Sequence, residues 1–305
     1  MWRRPLLLNL IPLLVLLASG CQSFLHQAAS LAYRDPATEI HVERGRPNRL
    51  IDGIGSVVGI PSKLTLWDHR ADNHQVSKET EAALLEYMDR NQLNETLVRV
   101  NQYHPWGEWK RLVSNQRVHP GWRYTFGVYN GLKYTLLPGR LLGGDWYNPF
   151  TDTTHIYSDL APLAIARTAY AKDVRQQSRP GMYAASQELP LVGMIHESRA
   201  REEALAYYSR RGDARELQDA KRVIEPDYGG SWGAQVASFL PYGAPLGRLV
   251  GAGAGHLTNR VRGGRPVERT GRASGDGPNA CDSDSYDRGS DAWPHASTKL
   301  SAREQ

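Results

Sequence analysis

His155, Asp159, His196 and Glu197 are the residues of this chain whose types suit metal binding or acid–base chemistry. Their spacing joins none of them on one element, apart from the adjacent pair His196-Glu197. Neighbours on a helix point about 100° apart and rarely share a metal. The other histidines are dispersed and read as surface or hydrogen-bonded core residues. The chain has no nucleophile elbow, no phosphate-binding glycine loop and no paired-cysteine zinc motif. Any chemistry must therefore be assembled from separate elements.

Cys21 offers chemistry of another kind. Arg3 and Arg4 precede a mostly apolar stretch from Leu6 to Leu17, and Ala18-Ser19-Gly20 leads directly to Cys21. The apolar run suffices for a signal-peptide core and is short for a membrane span. The pattern resembles a bacterial lipoprotein signal. That resemblance implies removal of residues 1–20 and acyl chains on the sulfur and amine of Cys21. It also implies a place in the cell envelope, at the outer membrane or the periplasmic face of the inner membrane. Each buried methylene would add about 0.8 kcal/mol of anchoring. A plain secretory signal shares the arginines, the apolar core and the small residues; the cysteine favours lipidation. Gln22 follows, where lipoproteins kept on the inner membrane often carry aspartate, and this favours the outer membrane. Residues 21–50 then read as anchor and tether.

Residues 148–204 carry a second resemblance. Asn148-Pro149-Phe150-Thr151 leads to a strand Thr153-Thr154-His155-Ile156-Tyr157, then a helix from Leu160 to Asp173, then a helix with Glu197-Ser198-Arg199-Ala200. This layout resembles the core of a zincin of the gluzincin branch. There an edge strand precedes a helix bearing His-Glu-x-x-His, and a later helix supplies a glutamate. Two histidines four apart share one helix face and grip one zinc, and the glutamate acts as general base on metal-bound water. The resemblance places Ala166, Arg167 and Tyr170 at the motif positions and Glu197 at the third ligand. Alanine has no donor atom, and a phenol keeps its proton to a pH near 10. Arg167 would repel a metal ion. The resemblance thus implies a zincin scaffold with no metal, no cofactor and no zinc-peptidase activity. Read without it, the helix is an amphipathic core helix burying Leu163, Ala166, Tyr170 and Val174. An active envelope hydrolase with a non-standard site, built on His155, His196 and Glu197, is the alternative from another class.

The elements that must position these residues follow from local patterns. Ser77 caps a helix to Asn91, with Glu79 and Glu81 in its first turn and Leu84, Leu85 and Met88 as its stripe. Residues 96–103 read as a strand, and Pro105 opens a helix to Val113. Ser23 to Tyr33 reads as a short helix, and Glu39-Ile40-His41-Val42 as a strand. Residues 51–60 are apolar and punctuated by Gly53, Gly55 and Gly59, which predicts a buried loop or strand. Tyr124, Phe126 and Val128 alternate with Thr125 and Gly127, which predicts one of several short strands over 121–157. Ser158 or Asp159 is expected to cap the helix that follows. Helices are expected over 192–209 and over 214–224, the second ending before Pro226. The body, 51–228, is therefore predicted to be α+β, a small sheet whose edge strand packs on zincin-like helices.

Beyond it lies a glycine ladder. Gly243, Gly247, Gly251 and Gly255 recur every four residues, as do Gly229 and Gly233 upstream, with Pro241 and Pro245 between the runs. Such a repeat lets two helix backbones approach closely. Residues 229–262 are thus expected to form a helical hairpin, each half too short to span a bilayer. Its glycine face offers a surface for a protein partner or for self-association, and insertion in the membrane is the rival arrangement. Residues 263–305 are poor in large aliphatic residues and are expected to be disordered. The charge of +5 over 305 residues is scattered, with no basic stripe, which argues against nucleic acid. The two cysteines, Cys21 and Cys281, leave no internal disulfide if Cys21 is acylated.

Overall fold

A computed structural model describes residues 31–35, 39–142, 144–189, 191–240 and 243–263. The leader, Cys21, Cys281 and the tail past 263 lie outside the described residues. The architecture is α+β: a five-stranded sheet set in a mostly helical body. Strands β1 (Leu31–Arg34), β2 (His41–Arg44), β3 (Leu97–Val100), β4 (Trp146–Asn148) and β5 (Thr153–Ile156) run in the spatial order β1-β2-β3-β5-β4. The inner pairs β2–β3 and β3–β5 are parallel, and the outer pairs β1–β2 and β4–β5 are antiparallel.

Register divides the sheet into two unlike faces. Val42, Val98, Thr154 and Tyr147 stand in one cross-strand row. Val42, Val98 and Tyr147 from this row join Val100 and Ile156 in the main core. Against them pack Leu84, Leu85 and Met88 of the helix Lys78–Arg90 and the alanine-rich helix Ala161–Gln176. The next row, Glu43, Arg99, His155 and Trp146, points to the opposite face. There the helix Pro105–Ser114 brings Glu108, and the helix Val128–Leu136 brings Tyr134. Arg99, Glu108 and His155 are all buried. Arg99 Nη1 donates to Glu108 Oε1 at 2.8 Å and Nε to Glu43 Oε2 at 2.9 Å. His155 Nε2 lies 2.8 Å from the same Glu108 oxygen, and its ring stacks on Trp146 at 4.9 Å. Burial alone would push the Glu108 carboxyl up; Arg99 and His155 outweigh it and hold it at about 2.

We number the helices α1 (Arg49–Val58), α2 (Ile60–Leu66), α3 (Lys78–Arg90), α4 (Pro105–Ser114), α5 (Val128–Leu136), α6 (Gly139–Leu142), α7 (Ala161–Gln176), α8 (Pro180–Ser186), α9 (Val192–Arg211), α10 (Ala214–Ala237) and α11 (Gly243–Gly263). Ser77 caps α3 as expected, accepting from Thr80 N. Five local expectations are corrected. Residues 51–60 are helical, because Asn48 caps α1 by accepting from the Leu50 and Ile51 amides. Gly55 is needed there for approach, not for a loop: a methyl group on it would lie 2.6 Å from the His74 ring. Residues 124–128 are not a strand. A turn at Pro120–Trp122 and a π-helical turn at Arg123–Gly127 run into α5. Their buried positions, Arg123, Gly127, Asn130, Gly131 and Tyr134, recur with helical spacing. Leu31 to Tyr33 are strand, so part of the expected tether belongs to the sheet. Asp159 does not cap α7; its carboxylate accepts from the Ser77 amide and from the Ser77 and Thr80 hydroxyls. Finally, α10 runs through Pro226. An interior proline costs a helix about 3 kcal/mol, and tertiary packing offsets it here: Gly255 of α11 nests on the backbone of Glu225 and Pro226.

Helices α10 and α11 lie antiparallel along their glycines. A methyl group on Gly233 would collide with the Gly247 carbonyl, and one on Gly251 with the Gly229 carbonyl. Gly243 is equally close to the Ala237 carbonyl. No helix among the described residues is long and apolar enough to cross a membrane.

The Arg99 pair should be the costliest polar contact to break from one side. Arg99→Leu leaves Glu108 buried without its cation and is expected to cost about 3–5 kcal/mol in denaturant unfolding. Arg99→Leu with Glu108→Leu should cost less than the single change; an additive loss would contradict a coupled pair.

Candidate functional site

The chemistry-bearing residues that do come together line a cleft of about 370 Å³. Its walls are the turn and edge strand at 145–150, helices α5, α7, α9 and α10, the turn at 187–188, and Arg248 of α11. Ala166, Arg167 and Tyr170 reach it from α7 and Glu197 from α9. The four positions marked by the zincin resemblance thus converge. The strand expected at the edge, β5, is interior, flanked by β3 and β4. On this side the last strand is β4, which among the described residues pairs with β5 alone, because the turn at 149–152 folds it back along β5.

The donor set does not fit zinc. Ala166 contributes a methyl group. Tyr170 is buried among Tyr147, Tyr183 and His196, and burial pushes its phenol well above the ordinary value. Among the described residues its hydroxyl has no hydrogen-bond partner. Arg167, 24% exposed, donates from Nη2 to Asp227 Oδ2 at 2.6 Å, and Arg248 Nη2 lies 3.6 Å from the other Asp227 oxygen. Burial works against the Arg167 charge, but Asp227, Glu197 and Asp145 outweigh it and raise its pKa. For Glu197, burial pushes the carboxyl up more than Arg167 pulls it down, and Asp227 adds to the rise. Among the described residues, no group of three or more His, Cys, Asp and Glu is placed to hold a metal ion.

The other candidates separate. His196 lines the cleft with Nε2 3.1 Å from Ser186 Oγ, and burial lowers its pKa. His155 does not reach it. Its side chain is on the Arg99 face of the sheet, and burial holds its pKa below the ordinary histidine value despite Glu108. Asp159 is committed to Ser77 and Thr80. A site joining His155 to His196 and Glu197 is therefore not assembled.

Sequence reasoning missed Asp145 and Asp227. Asp227 follows the proline at which α10 was expected to have ended. Asp145 sits in a turn that reads as aromatic and glycine-rich. Its Oδ1 accepts from the Tyr157 amide at 2.5 Å and the Ser158 amide at 3.0 Å, while Oδ2 has no hydrogen-bond partner among the described residues. Burial, then the neighbouring Asp72 carboxylate, push its pKa to about 7 against the pull of those two amides. The arrangement supplies two reluctant acids around a fixed guanidinium, suited to hydrogen-bonding a ligand and lacking a metal-activated water.

The Asp145 shift has a stability sign. From its ordinary value of 3.8 up to about 7, the folded state binds more protons than the unfolded chain. Asp145 therefore contributes stability at low pH that is lost as pH rises through about 7. The melting temperature of the parent relative to Asp145→Asn should fall between pH 5 and pH 8; a constant difference would refute the assignment. No family model, curated protein or solved structure matches the chain, so the zincin resemblance rests on the layout of residues 148–204.

Proposed function

We propose that this chain is a lipid-anchored protein of the bacterial cell envelope whose body is a zincin-like scaffold working by binding rather than by hydrolysis. One observation carries the reading: Ala166, Arg167, Tyr170 and Glu197 converge on one cleft in which Arg167 is held by Asp227. A guanidinium tied to a carboxylate supplies the positive charge that an ion would otherwise bring. It activates no water, because it has no open coordination position. Cys21 is the proposed acylation site and the bilayer the proposed partner.

Restoring the motif tests the scaffold. Ala166→His, Arg167→Glu and Tyr170→His, with Glu197 retained, should give a chain that binds zinc stoichiometrically by elemental analysis, while the parent binds none. Zinc in the parent, or chelator-sensitive proteolysis by it, would overturn the reading.

The α10–α11 pair is proposed to be a glycine-faced packing hairpin, whose remaining exposed surface serves self-association or a protein partner. Gly247→Leu with Gly251→Leu should cost about 2–6 kcal/mol by overpacking. Unchanged melting and unchanged membrane partition would argue against a packing role.

A further inference from the structure

Helices α1 and α2 turn their apolar side outward. Along α1, Leu50, Ile54, Val57 and Val58 recur at helical spacing and are 61, 49, 64 and 41% exposed. Ile60 and Leu64 of α2 continue the surface, which ends at Trp67, 64% exposed in a left-handed backbone conformation. The inner side of α1 carries Asp52, whose carboxylate accepts from the Asn48 amide and from the side chains of Asn101 and Arg140. The helix thus keeps one aliphatic side chain, Ile51, for the body, packed with Tyr103 and Tyr134, and turns four toward solvent. Arg46 and Arg49 stand exposed at its start, and neither forms an ion pair among the described residues.

The sheet brings this face to the end where the tether arrives. Leu31 pairs with Arg44, and α1 begins at Arg49. Cys21 precedes Leu31 by ten residues, which reach about 36 Å at full extension. An acyl anchor on Cys21 would hold this end of the sheet beside the bilayer. We infer that the outer face of α1–α2 docks laterally on a phospholipid surface. Its aliphatic side chains enter the acyl boundary, Trp67 sits at headgroup level, and Arg46 and Arg49 meet lipid phosphates. The inference rests on the reading of Cys21 as acylated.

The test uses the full chain on vesicles of phosphatidylethanolamine and phosphatidylglycerol with brominated acyl chains. The mass of the N-terminal peptide reports acylation separately. Bromolipid should quench a share of tryptophan emission that is missing from Trp67→Phe. Ile54→Asp with Val57→Asp should lose that share while still floating with the vesicles, and should melt within a few degrees of the parent. If it melts early, Leu64→Ser replaces it with the same expected loss. Acylated Cys21 without quenching at Trp67 overturns the docking and leaves the anchor standing. Quenching without acylation keeps the docking and removes the anchor. A dimer in sedimentation that shields Trp67 from bromolipid overturns the docking in favour of a second copy.

Discussion

Arg99 is the constraint around which the body is arranged. A guanidinium buried in the middle strand of a sheet demands acids from both sides, and Glu43 and Glu108 supply them. Glu43 comes from the neighbouring strand, so it needs only register. Glu108 comes from α4, so that helix is seated by a charge as well as by Leu112 and Trp109. His155 and Trp146 extend the row to the edge of the sheet. This is a costly way to cover a sheet, since buried ions owe their stability to close geometry. What it secures is register: a slip of one residue would carry Arg99 into the aliphatic core and Val98 to the acids.

The sheet has accordingly two different jobs. Its aliphatic face seats α3 and α7, and α7 is buried along most of its length because alanines let it lie close. Its charged face locks the strands. The cleft opens where α7 passes β4, and its charges come from helices and from Asp145 and Glu188 in turns. Arg167 repeats there, in a more open setting, the motif of a guanidinium held by carboxylates. Asp145 joins the two regions, with one oxygen fixed by the backbone after β5 and the other without a hydrogen-bond partner among the described residues.

Legibility in the sequence tracked where the apolar residues point. Helix α3 was readable because Ser77 caps it and Leu84, Leu85 and Met88 face inward. Helix α1 was not, because four of its five aliphatic residues face outward and Ile51 shares the inward side with Asp52 and Gly55. The run before α5 misled for a related reason: its buried positions are arginine, glycine and asparagine, while Tyr124 and Tyr129 are exposed. In the cleft, the positions on α7 and α9 were found through their order along the chain. Asp227 was hidden behind a proline that packing tolerates, and Asp145 by a turn whose carboxylate is captured by amides far along the strand.

The glycine repeat of α10 and α11 has one further implication. A ladder with a step of four looks the same after sliding by one step, so small residues alone do not say which glycine meets which. Two contacts break that translational ambiguity: Gly255 seated on Pro226, and Arg248 facing Asp227. Both lie at the cleft end of the pair. The alignment of the C-terminal helices and the charge balance around Arg167 are therefore linked, and a chain that slipped a turn would lose Arg248 from the cleft.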